Sequence, residues 1–169
     1  MTGIPVYDLT IPVLTRQLNN LSGILRKAED WSGARKIAPE VLLGYRLAPD
    51  MFPLVRQVQL TTDFAKGAAS RLAGREVPRY EDVETSFADL QARIAKTRDH
   101  LASFAEGDFA GAAERKVELK IGGETVAFDG KTYLLNFVYP NFYFHYATAY
   151  DILRHVGLDI GKRDFVGQR

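Results

Sequence analysis

The sequence predicts an all-α fold: an up-down four-helix bundle with one small β-hairpin between its third and fourth helices. Three observations lead there. Four long segments repeat apolar residues at helical spacing. A single short stretch alternates apolar and polar residues around a Gly-Gly pair. The joins between the long segments are short, which favours neighbouring helices running antiparallel.

The first helix is expected from about Ile11 to Glu29, where Leu14, Leu18, Leu21, Leu25 and Ala28 trace one face. Trp31 to Leu43 reads as a connector broken by Gly33 and Pro39. A second helix is expected to follow the capping residue Asp50, with Pro53 in its first turn. Its stripe is Met51, Val55, Val58, Thr62, Ala65, Ala69 and Leu72, and Gly74 is placed to end it. Glu76 to Arg79 forms a loop.

The third helix shows a heptad-like seam: Val83, Phe87, Leu90, Ile94, Thr97, Leu101 and Phe104. Glu84, Asp89, Arg93, Lys96, Arg98 and Asp99 fall outside it and read as solvated surface. Val117, Leu119 and Ile121, then Val126 and Phe128, alternate about Gly122-Gly123 as a hairpin that must lie against the bundle. The fourth helix spans about Lys131 to His155, with a kink or split at Pro140 and a stop at Gly157. Leu158 to Arg169 reads as an extended tail.

The chain has 169 residues, so residues 1–169 are expected to form one domain. A formal net charge of +1 gives no electrostatic case for nucleic acid. Cysteine is absent, which excludes disulfides, thiolate metal sites and cysteine nucleophiles. Pro5, Asp8 and Pro12 interrupt any apolar leader, so the expected location is cytoplasmic. Thr132 to Tyr150 carries no formal charge, yet Asn136, Asn141, His145 and its tyrosines would be costly in hydrocarbon. No membrane partner is expected.

Among chemical motifs, the tripeptide Gly130-Lys131-Thr132 lacks the upstream glycine of a phosphate loop and reads as a hairpin-to-helix turn. The three histidines differ in setting. His100 reads as a surface residue and His155 as a cation at a helix C-terminus. His145 lies within the most aromatic segment, with Asn141 one turn before it on the same face. It is either a buried, hydrogen-bonded side chain or part of a site.

The blocks RLAPDMFPLVRQVQ (Arg46–Gln59), ETSFADLQARIAKT (Glu84–Thr97) and YPNFYFHYATAYDILRHVG (Tyr139–Gly157), followed by GKRDF (Gly161–Phe165), resemble an uncharacterised bacterial family. That family is grouped with the DinB/YfiT-like four-helix bundles, a metalloenzyme-type superfamily. The resemblance covers nearly the whole chain. It implies a site built from one histidine on the second helix and an H-x-x-x-H pair on the fourth. The ILR-x-x-G ending (Ile152–Gly157) places His145 at the second histidine of the pair and Asn141 at the first. Counting from Asp50 places Gln57 at the remaining position, with Gln59 or Asp63 as the alternatives that could face inward.

Carboxamides are weak donors for zinc or nickel, so no bound metal and no other cofactor are expected. Two functions stay open. One is a small-molecule binding protein or enzyme, transferase- or isomerase-like, with or without the metal dependence of the superfamily. Its pocket would lie between the second and fourth helices, lined by Tyr139, Phe142, Tyr143 and Tyr146, with His145 as acid or base. The other, favoured here, is a non-enzymatic homodimeric interaction protein whose aromatic fourth helix supplies core and interface.

Overall fold

The computed structural model describes residues 4–167. Its elements run in the order α1 (Val6–Ala34), α2 (Pro39–Leu43), α3 (Leu54–Leu72), α4 (Phe87–Ala102), β1 (Lys116–Ile121), β2 (Glu124–Asp129), α5 (Gly130–Thr132), a π turn (Tyr133–Val138), α6 (Tyr139–His155) and α7 (Lys162–Val166). The four long helices α1, α3, α4 and α6 form the bundle. Helix α3 packs between α4 and α6, and α1 touches mainly α4 on the opposite side.

The sequence stripes are the buried faces. Leu14, Leu18, Leu21, Leu25 and Ala28 of α1 meet Val58, Ala65, Ala69 and Leu72 of α3 and Leu90, Ile94 and Leu101 of α4 in one core. Helix α1 is longer than its stripe suggests and absorbs Trp31. Helix α3 begins only after Pro53, so Met51 lies before it. Its end is as expected, with Gly74 at φ +68°.

Helix α4 starts at Ser86, whose hydroxyl accepts from the Asp89 backbone N–H while the Asp89 carboxylate accepts from Ser86 N–H. That reciprocal cap wins over the apolar spacing. Val83 is therefore outside the helix and 70% exposed, contrary to its expected seam position.

The hairpin is the only sheet among the described residues, antiparallel with Ile121 opposite Glu124. Gly122 and Gly123 both take positive φ (60° and 91°), as a two-residue turn matched to strand twist requires. Val117 is buried against the bundle and Phe128 half-buried.

The fourth helical stretch divides before Pro140, which sits in the first turn of α6 where its missing N–H is harmless. Upstream, Asp129 caps α5 by accepting from the Thr132 N–H at 2.8 Å. Gly130-Lys131-Thr132 is thus the hairpin-to-helix turn, and Gly130 packs against the Ala112 carbonyl. The tail is not extended. Lys162–Val166 forms α7, which docks on α1 and stacks Phe165 on Tyr146 with ring centroids 4.2 Å apart. Among the described residues no helix is long and apolar enough to cross a membrane.

Candidate functional site

Helices α3 and α6 form the most extensive helix–helix contact of the bundle. Gln57, in the first turn of α3, and His145, midway along α6, meet there. Both are buried, and His145 Nδ1 lies 2.8 Å from Gln57 Oε1. The proton can be assigned from the next partner along. Gln57 Nε2 is 3.0 Å from the Phe52 carbonyl, which can only accept. Oε1 therefore turns to the imidazole, and Nδ1 carries the hydrogen. The ring is also held flat against Phe64, at 5.7 Å between centroids and 18° between planes. Burial, and then the Arg56 charge, lower its pKa below the ordinary 6.5.

The remaining candidates make other contacts. Asn141 is half-buried, and its amide donates to the Phe137 carbonyl at 2.7 Å, one turn back on its own chain. It makes no hydrogen bond to the Gln57–His145 pair. Gln59 donates to Glu84 at 2.7 Å, and Asp63 pairs with Arg93 and Lys66, so neither alternative faces His145. Tyr143 packs on Tyr139 and Phe142, and Tyr146 donates to the Phe165 carbonyl at 2.7 Å. Tyr139 donates to the Leu9 carbonyl of α1. These tyrosines seal α6 against α1 and α7.

The donor set does not fit a transition metal. His145 supplies one imidazole, while Gln57 and Asn141 supply only neutral amide oxygens, one of them already taken by Nδ1–H. Among the described residues, no group of three or more His, Cys, Asp or Glu side chains is placed to hold a metal ion. What the pair can do is hold a neutral imidazole in one tautomer with Nε2 as an acceptor.

His100, Arg93 and Glu84, read from sequence as solvated, are not, and the Glu84 side chain is only 9% exposed. His100 is half-buried, with Nε2 2.8 Å from Ser70 Oγ and its ring edge-on to Phe104. Burial, then the charges of Lys66 and Arg75, lower its pKa. Ser70 is sealed at 0% exposure, so this serine–histidine contact offers no reachable nucleophile.

Arg93 is the larger departure: its side chain is only 2% exposed. Nε donates to Thr62 Oγ1 (2.8 Å), Nη1 to the Glu81 carbonyl (3.0 Å) and Glu84 (2.9 Å), and Nη2 to Asp63 (2.9 Å); Nη2 also forms an ion pair with Asp82 at 3.1 Å. Four of the five guanidinium N–H groups donate hydrogen bonds. Burial opposes the charge, but the Glu84 hydrogen bond and the carboxylates outweigh it, and the pKa is raised. The sequence signal was the acidic run Glu81, Asp82 and Glu84 just before a helix carrying an arginine beside its seam.

A cleft of about 330 Å³ opens beside this network, between α3, β1 and the π turn. Phe64, Phe137 and Tyr133 form an aromatic wall, and Leu119 and Ile121 of the hairpin stand across it. Lys66, Arg71 and Lys120 bring cations to its lining. Phe64 is shared: it lines the cleft and stacks on His145. The π turn, an element common at functional sites, stacks Tyr133 on Phe137 at 5.9 Å.

The two lowered histidines make a stability prediction. Above pH 6.5, the ordinary value for both, folded and unfolded chains are neutral at these sites. As pH falls below it, the unfolded chain takes up protons that the folded protein refuses, so stability drops. Melting temperature should fall between about pH 7 and about pH 5.5, and this slope should flatten when His145 and His100 are both replaced by Gln. An unchanged slope would contradict the burial of the two rings.

Residues 6–166 match the family described as Domain of unknown function (DUF1993). A solved structure, described as a DinB family member protein from Shewanella denitrificans, is 40% identical with a TM-score of 0.88. That match covers 97% of this chain and 93% of the other. No curated protein matches. With the family profile spanning nearly the whole chain and a DinB family structure aligned end to end, the protein belongs to the DUF1993 family of DinB-like bundles.

Proposed function

We propose that the protein is a non-enzymatic, homodimeric binding protein in which the superfamily's metal position has become a hydrogen-bonded polar pair. The observation that carries this reading is the Gln57–His145 contact, in which the amide oxygen is committed to Nδ1–H and the amide nitrogen to the Phe52 carbonyl. Such a pair stabilises the α3–α6 seam and leaves no charged ligand for a divalent ion. The homodimer is supported by Phe144, which is 56% exposed on α6, and by Leu135, exposed in the π turn. Elemental analysis of the purified protein should find no stoichiometric transition metal, and sedimentation at micromolar concentration should give twice 18.9 kDa. A sedimenting mass of 18.9 kDa would remove the homodimer.

A second reading, catalysis on a small molecule by His145, is favoured by the fixed tautomer. With Nδ1–H anchored, neutral Nε2 is the nitrogen left to take a proton. That reading requires an activity whose rate collapses in His145→Gln while the fold is kept.

A further inference from the structure

We propose that the cleft between α3, β1 and the π turn binds a small organic anion with a flat apolar body, its acid group meeting Arg71. This rests on the binding reading above but concerns a cavity separated from the Gln57–His145 pair by the Phe64 ring. The charge balance of the lining comes first. Asp63 is its only carboxylate and is already held by Arg93 and Lys66, at 2.9 and 2.7 Å. Lys66 is thereby paired. Arg71 is half-buried, and its described hydrogen bond goes to a neutral partner, the Tyr133 hydroxyl at 3.2 Å. Among the described residues neither Arg71 nor Lys120 has a carboxylate partner. A half-buried guanidinium without a carboxylate partner is poorly hydrated and favours an anion, which it can bind through two parallel N–H bonds.

The backbone beneath Arg71 is shaped to hold it there. Gly67 is buried in the middle of α3, a helix-weakening choice. A Cβ at that position would lie 2.4 Å from Arg71 Nη1 and 4.0 Å from the Tyr133 hydroxyl. The missing side chain lets the guanidinium fold back over the helix and onto Tyr133, into the cleft. Phe64, Phe137 and Tyr133 give the ligand body an aromatic wall, to which Leu119 and Ile121 add aliphatic surface. The volume of about 330 Å³ suits a two-ring body and is at the small end for ligand sites.

The test is a titration of the full chain with naphthalene-2-carboxylate, followed by amide chemical shifts, beside its neutral isostere naphthalene-2-carboxamide. The expected result is saturable one-to-one binding with a Kd of about 1 mM or tighter. The largest shifts should lie in α3, β1 and the π turn. Losing the charged hydrogen bonds, the carboxamide should bind at least about tenfold more weakly, as should the carboxylate to Arg71→Gln. Gly67→Ala should weaken binding several-fold while the helix is kept, because only the tip of Arg71 must move. No saturation with the carboxylate, or equal affinity for acid and amide, or an affinity unchanged in Arg71→Gln, would overturn the proposal. Those outcomes leave the Gln57–His145 pair untouched, whereas metal uptake at His145 would overturn the earlier reading and not this one.

Discussion

Replacing Arg93 with methionine is expected to destabilise the protein by about 3–5 kcal/mol, the usual cost of removing one partner from a buried ion-pair network. Methionine matches the aliphatic stem but supplies none of the five N–H donors. Glu84, with its side chain 9% exposed, would keep its charge with little water to replace the guanidinium. Thr62 and the Glu81 carbonyl would also lose their partner. The network joins α3 to α4 and to the loop before α4, so the loss should be cooperative. For a chain of this length it should lower the melting temperature by about 10 °C. Arg93→Lys should recover only part, because an ammonium cannot reproduce the planar fork. A loss below about 1 kcal/mol in urea unfolding would mean that the pairs behave like exposed ones.

Gly130→Ala is the second large effect expected. A Cβ at this position would lie 1.9 Å from the Ala112 carbonyl oxygen and 3.1 Å from a Leu72 methyl. The first neighbour is backbone, so the hairpin-to-helix junction must shift. Overpacking of this kind costs about 3 kcal/mol. Gly107→Ala is the control, since nothing lies within 4 Å of its Cβ, and it should be nearly neutral. Similar urea midpoints for the two variants would contradict the close packing of Gly130 on Ala112.

The bundle was legible because each long helix carries a periodic stripe, and the hairpin because Gly122-Gly123 can supply the two positive φ angles its turn needs. Boundaries failed where local chemistry outweighed periodicity. The Ser86–Asp89 cap starts α4 after Val83, and Pro53 delays α3 beyond the Asp50 that was counted as its cap. The short α7 has no stripe of its own and exists through the Phe165–Tyr146 stack and the Lys27–Asp164 ion pair, both long-range.

Of the candidate site, the Gln57–His145 approach followed from family register. The partners of Asn141 and Tyr146 were not legible, because helical spacing fixes a face but not the hydrogen bond a side chain selects. Asn141 takes its own helix's carbonyl, and Tyr146 takes that of Phe165. Arg93 was missed because position alone marks a charge as solvated. Its burial depends on carboxylates brought from α3 and from the loop. The cleft was invisible for the same reason, since its walls come from separate parts of the chain.

His145 is engaged through Nδ1–H to Gln57, which we propose takes the place of metal ligation. Nitrogen-15 spectra of the imidazole at about pH 7, recorded before and after one equivalent of zinc, test it most directly. The expected ring is neutral and protonated at Nδ1, unmoved by zinc and converted to a mixture of tautomers in Gln57→Ala. A His145 signal shifted by zinc, with one equivalent retained through dialysis and lost in His145→Ala, would contradict it.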